Sequence, residues 1–157
     1  MLGHRLIIRA ARDADIPACR ELFLEYERSI GVSLCFQGFE RELATLPGDY
    51  VPPRGGLWIV EAEGALAGCV ALRPIDAGAA EMKRLYVRSE FRGRQLGLAL
   101  ARHVIATSRA LGYRTLKLDT LPSMSDAQRL YARLGFVDTA PYNDNPVAGV
   151  RFMALAL

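Results

Sequence analysis

Leu85-Tyr86-Val87-Arg88-Ser89-Glu90-Phe91-Arg92-Gly93-Arg94-Gln95-Leu96-Gly97-Leu98-Ala99-Leu100 is the stretch on which the reading of this chain turns. It opens β-prone, passes through a loop rich in arginine and glycine, and closes on the start of a helical pattern. A helix start presents N–H groups with no intrahelical acceptor and the positive end of the helix dipole. Glycines that let a ligand come close, here Gly93 and Gly97, make such a start a cradle for phosphate groups, and Arg92 and Arg94 add cationic reach. The loop is neither G-x-G-x-x-G nor G-x-x-x-x-G-K-[ST], which lowers the dinucleotide and nucleoside-triphosphate readings.

Working outward, Leu96, Leu100, Val104 and Leu111 recur on one helical face until Gly112 stops it. Upstream, residues 80–87 read as a strand, yet Glu81, Lys83 and Arg84 are unusual charges for one lying mid-sheet. Before it, runs 57–61 and 66–72 form a hairpin about Glu63-Gly64-Ala65, closed by Pro74. The N-terminal part gives a strand over residues 6–9. Asp13, Asp15 and Pro17 then open a helix whose Ile16, Cys19, Leu22 and Phe23 share a face and which ends before Gly31. A second short helix over residues 36–46 stops at Pro47-Gly48, and residues 50–56 make a stiff loop. Downstream come a strand at 116–119 and a capping box, Ser125-Asp126-Ala127-Gln128. The box leads a helix that carries Ala127, Leu130, Tyr131 and Leu134 and ends at Gly135. A strand beginning at Phe136-Val137, a loop at 141–146 and a final apolar strand at 151–157 complete an α/β pattern.

A chain of 157 residues is long enough for one buried core and short for two, so a single domain over residues 1–157 is expected. With 51% apolar and 24% charged residues the composition is that of a folded globular chain. The net charge of +3 is modest and the basic residues are scattered, so no nucleic-acid partner is indicated. Cys19, Cys35 and Cys69 have no CxxC spacing and no histidine pair nearby, which argues against a metal cage and for a reducing, cytoplasmic location. No run approaches the length of a membrane span.

The segment Arg92-Gly93-Arg94-Gln95-Leu96-Gly97 resembles the acetyltransferase loop [QR]-x-x-G-x-[GA], placed between a strand and a long helix. Ala127-Gln128-Arg129-Leu130-Tyr131-Ala132-Arg133-Leu134-Gly135-Phe136 resembles the pattern A-x-x-L-Y-x-x-x-G-F, at the spacing the GCN5-related N-acetyltransferase (GNAT) superfamily shows. Together the match covers about half the chain, roughly residues 80–136. Gln95 departs from the pattern, standing where the loop has its first glycine.

The resemblance implies an α+β acyl-CoA N-acyltransferase fold: a mixed, twisted sheet of about seven strands with helices on both faces. The strands at 80–87 and 116–119 would splay apart. It implies acetyl-CoA as acetyl donor in that wedge, its pantetheine arm along Leu85, Tyr86 and Val87 and its diphosphate on Arg92, Gly93, Arg94, Gln95, Leu96 and Gly97. A backbone donor near Val87 would stabilise the developing oxyanion.

Acetylating an amine needs a base and an acid. The resemblance assigns Glu81, eleven residues before Arg92, as base, directly or through water, and Tyr131 as the acid that protonates the departing thiolate. The plain alternatives are a strand-end carboxylate paired with a cation and a core tyrosine. Cys69 reads as an inert core thiol and His103 as a surface or packed histidine without metal-ligand spacing. The acceptor, a small-molecule or peptide amine, would meet the variable regions: Glu25 and Tyr26, the loop around Tyr50, and the loop with Tyr142. Lys83 and Arg84 read as solvated at a sheet bulge, or as facing an acidic acceptor. The alternative activity is a non-catalytic acyl-CoA-binding sensor or interaction module. Homodimers are common among such enzymes, and no sequence feature decides the matter.

Overall fold

A computed structural model describes residues 5–35 and 38–157. Strand β1 (Leu6–Ala10) passes through a 3-10 turn, Asp13–Asp15, into α1 (Ile16–Ile30), and α2 (Phe39–Thr45) follows. Then come β2 (Gly56–Ala62), β3 (Ala65–Pro74), β4 (Ala79–Val87), α3 (Leu96–Ala110), β5 (Thr115–Thr120), α4 (Ser125–Arg133), β6 (Val137–Asp138) and β7 (Arg151–Ala156). They build one seven-stranded sheet in the order β1-β2-β3-β4-β5-β7-β6. Every pairing is antiparallel except β4 with β5. The mixed sheet expected from the resemblance is therefore present.

Local chemistry explains the elements. Pro17 lies in the first turn of α1, where its missing N–H costs no intrahelical bond, and Gly31 ends the helix at φ +68°. The β2–β3 hairpin turns on Glu63 and Gly64, both at positive φ, between the paired residues Ala62 and Ala65, as a tight two-residue turn requires. Alternation along the strands separates two apolar layers. On one face Leu96, Leu100 and Val104 of α3 and Tyr131 of α4 pack on Val70, Leu72, Met82, Leu116 and Leu118. On the other, Cys19, Leu22 and Phe23 of α1 and Phe39 of α2 pack on Leu57, Ile59, Cys69 and Ala71.

The charges inside β4 have their explanation in a β-bulge. Cys69 faces Tyr86 while Ala71 faces Lys83, so β4 carries one extra residue there, and Arg84 takes a left-handed backbone at φ +58°. Arg84 is not solvated, contrary to expectation. The bulge swings it under α2, where it is 3% exposed and holds Glu42 in a bidentate pair at 2.7 and 2.9 Å. Its guanidinium lies 5.3 Å from the Phe39 ring centroid and 5.8 Å from that of Tyr26.

Three further expectations change. Helix α2 begins at Phe39 and ends at Thr45, and Phe36 lies outside the described residues. The capping box does not form: Met124 is the N-cap residue, Ser125 is already helical, and Gln128 donates through Nε2 to the Leu121 carbonyl instead. The loop around Tyr50 turns inward. Tyr50 is buried in the α1/α2 layer, and Arg54 and Tyr113 bond each other, closing the loop against the opposite end of the sheet from Val87.

Candidate active site

Strands β4 and β5 pair at only three positions, Ala79↔Thr115, Ala80↔Leu116 and Glu81↔Lys117. Beyond Glu81, β4 stays with β3 as far as the Val87↔Gly68 pair, and β5 stays with β7 as far as Thr120↔Arg151. The bulge at Arg84 bends β4 away from β5, and the sheet opens into a wedge. Gly68 makes the near wall possible: a Cβ there would stand 2.3 Å from the Tyr86 carbonyl oxygen, so a larger residue would push β3 off β4. The wedge is a cleft of about 540 Å³. Leu85, Tyr86 and Val87 line one side and Ala127, Leu130 and Arg133 of α4 the other, with Tyr26 of α1 beneath.

One end of the cleft is the start of α3, where Arg92, Gly93, Gln95, Leu96 and Gly97 also line it. The first intrahelical bond runs from the Ala99 amide to the Gln95 carbonyl. The amides of residues 93–98 meet no acceptor among the described residues. Gly93, Gln95, Leu96, Gly97 and Leu98 among them line the cleft, with the helix dipole behind them. Gln95 caps the helix at φ +59°, ψ +28°, a left-handed conformation that a glycine takes without strain. Arg92 is exposed and donates from Nε to the Val87 carbonyl at 3.2 Å. Arg94 lies off to one side, 3.7 Å from Glu63.

Tyr131 is 4% exposed, its ring edge-on to Phe136 at 5.8 Å. Burial pushes its phenol well above the ordinary tyrosine value, so it holds its proton at neutral pH. Glu81, at the apex of the wedge, is also 4% exposed and accepts a 2.7 Å hydrogen bond from the Tyr142 hydroxyl. Tyr142 thus stands against the proposed base, and burial together with the Glu81 charge drives its own pKa upward. Its loop is pinned by Asn143 and Asn145, which both donate to Asp119. Tyr26 lines the cleft and meets Tyr86 edge-on at 6.4 Å. Glu25 is committed elsewhere: Arg88 donates to its carboxylate at 2.9 and 3.1 Å and the Tyr86 hydroxyl at 3.2 Å, which leaves it little capacity for an amine.

Cys69 is fully buried, donates to the Arg84 carbonyl, and has its pKa raised by burial, which suits an inert thiol. His103 packs edge-on to Trp58 at 5.1 Å. Among the described residues there is no cluster of metal-ligating side chains, and no helix is long and apolar enough to cross a membrane. Sequence reasoning missed Arg73, which faces Glu81 directly across β3–β4. The signal was present: a turn at Asp76-Ala77-Gly78 pairs Pro74 with Ala80 and hence Arg73 with Glu81.

A parallel pair that opens into a wedge, with bare helix-start amides at one end and a buried tyrosine on α4, is the architecture of acyl-CoA-dependent acyltransferases. The sequence profile of the Acetyltransferase (GNAT) family matches residues 16–136, and the chain belongs to that family. An uncharacterized N-acetyltransferase of Schizosaccharomyces pombe is 41% identical over 145 residues, covering 91% of this chain and 89% of the relative. A GNAT acetyltransferase from Staphylococcus aureus superposes with a TM-score of 0.83 at 18% identity over 97% of this chain and 99% of its own. An acetyltransferase from Salmonella typhimurium, solved with its cofactor acetyl-CoA, superposes with a TM-score of 0.66 at 22% identity over 96% and 93%. The chain is an acyltransferase of the GNAT fold.

Proposed function

We propose that this chain transfers the acetyl group of acetyl-CoA to a primary amine of a small molecule or peptide, by direct attack in a ternary complex. The observation that carries the reading is the parting of β4 from β5 after Glu81, with six unpaired amides at the mouth of the resulting cleft. These features fit the donor. The amides of residues 93–98 and the Arg92 guanidinium would hold its diphosphate. The β4 edge at Leu85, Tyr86 and Val87 would pair with its pantetheine amides as an added strand does. Arg92 now covers the Val87 carbonyl, so donor binding exchanges that contact for a phosphate.

Bound this way, the donor supplies an activated acyl carbon. The amine nitrogen forms the new bond to that carbon as the carbon–sulfur bond breaks. Glu81, held by Tyr142, takes the proton that the amine loses, directly or through water. Tyr131, kept protonated by burial, gives a proton to the departing sulfur. A backbone N–H near Val87 faces the developing negative charge on the carbonyl oxygen.

Tyr131→Phe and Glu81→Gln should each lower turnover about 100-fold, the lower range for a lost acid or base, while acetyl-CoA affinity is largely kept. Release of free thiol gives turnover, and titration calorimetry gives affinity. Wild-type turnover in both variants would remove the two roles, and a failure of the wild-type protein to bind acetyl-CoA would remove the reading itself.

A further inference from the structure

Next to Glu81, on the sheet face that carries Ala71, lies a second cavity of about 320 Å³. Arg73, Glu81, Lys83, Tyr142, Asn143 and Asp144 line it. Strand geometry brings the charges together: Arg73 is the cross-strand partner of Glu81, and Lys83 follows Glu81 by two residues on the same face of β4. Lys117 is the register partner of Glu81 on β5, and its Nζ lies 5.6 Å from the Tyr142 ring centroid.

Arg73 is the informative member. Its Nη1 is 3.8 Å from Glu81 Oε1, beyond hydrogen-bond length, and its Nε is buried with no hydrogen-bond partner. A side chain present only to neutralise Glu81 would close that gap, because a guanidinium and a carboxylate lock together through two parallel N–H···O bonds. Arg73 lines the cavity with its side chain 38% exposed and unlocked from Glu81, which takes its short hydrogen bond from Tyr142 instead. Three cations, Arg73, Lys83 and Lys117, stand with the carboxylates Glu81 and Asp144, a setting of mixed sign that disfavours an acceptor that is cationic throughout, such as a polyamine. The cations favour one that brings its own negative charge, while Glu81 still faces the amine. The small volume excludes a large acceptor from full enclosure.

Resting on the acetyl-transfer reading above, we infer that the acceptor is a small amino acid with a free carboxylate, which sits on Arg73 while the amine points to Glu81. Arg73 then determines specificity: it touches the substrate and takes no part in proton transfer.

The test is thiol release from acetyl-CoA with matched pairs, free L-amino acids against their carboxamides, plus a polyamine and a short peptide. Wild-type protein is compared with Arg73→Gln and Arg73→Lys, and acetyl-CoA titration of each variant reports whether the cleft is intact. The acid should exceed its carboxamide in kcat/KM by about tenfold or more, the scale of one hydrogen-bonded charge pair. Arg73→Gln should bring that ratio near unity, chiefly through KM, and Arg73→Lys should restore part of it. Equal use of acid and carboxamide by the wild-type protein, or an unchanged ratio in Arg73→Gln, overturns the inference. Turnover of the peptide or polyamine with no amino acid accepted overturns it and leaves amine acetylation standing. Acetyl-CoA binding with no thiol released by any acceptor overturns both.

Discussion

Gln95 shows how one position can look wrong in sequence and be explicable in structure. It stands where the resembled loop has glycine, and its backbone is left-handed at φ +59°. An L-residue with a Cβ pays about 1–2 kcal/mol for that conformation. Replacing it with glycine removes the strain but loosens the unfolded chain by about 0.4–1 kcal/mol, so the second effect offsets only part of the first. Gln95→Gly should therefore leave the unfolding free energy from urea denaturation between unchanged and about 1.5 kcal/mol above wild type. Gln95→Val, stiff at χ1 and branched next to the backbone, should destabilise by about 1–2 kcal/mol beyond glutamine. A valine variant as stable as wild type would show that the loop relaxes out of the left-handed region. The loop's place in the chain was legible from its pattern. Its backbone conformation was not, because φ at one residue follows from how β4 and α3 are held apart.

Strand β4 makes the same point for an element. Its position between hairpin and loop could be read from periodicity, and so could the conflict between its charges and a central place in the sheet. The resolution could not: Arg84 is paired by Glu42, 42 residues earlier on a helix whose packing no local pattern specifies. The failed capping box on α4 has a similar cause, since Gln128 finds a better acceptor in the Leu121 carbonyl of the preceding turn. Glu81 and Tyr131 were named through the resemblance, whereas Arg73 required strand register. Truncating Glu42 to alanine would take its carboxylate away from Arg84, a buried charge 2% exposed at its side chain. Such breakage costs about 3–5 kcal/mol. The double variant Glu42→Leu/Arg84→Met, with no charge left, should be much closer to wild type in chemical denaturation. Equal losses in the single and double variants would mean that the pair itself, and not the buried charge left behind, carries the stability.

At the scale of the whole molecule the two helical layers are held differently. The α3/α4 layer rests on an apolar core, Leu96, Leu100 and Val104 against Val70, Leu72 and Leu116. The α1/α2 layer adds ion pairs that join it to the sheet: Arg9 with Asp15 and Glu61, Arg84 with Glu42, and Arg88 with Glu25. Arg9 hydrogen bonds hold the Asp15 carboxyl at about 2, below the ordinary aspartate value. Burial opposes ionisation of Glu42, yet Arg84 outweighs it and the pKa is again lowered. A carboxyl depressed in the folded state stabilises fully above its unfolded pKa and loses that contribution as pH falls through the folded one. The unfolded values lie near ~3.9 and ~4.3, so the loss begins below about pH 4 and deepens toward pH 2. Acidification should therefore loosen α1 and α2 while α3 and its strands stay closed. Amide exchange between pH 5 and pH 2.5, corrected for intrinsic rates, should show protection falling first over residues 16–30 and 39–45 and later over residues 96–110. Simultaneous loss in both layers would mean that the sheet unfolds as one cooperative unit and that the ion pairs do not set its acid limit.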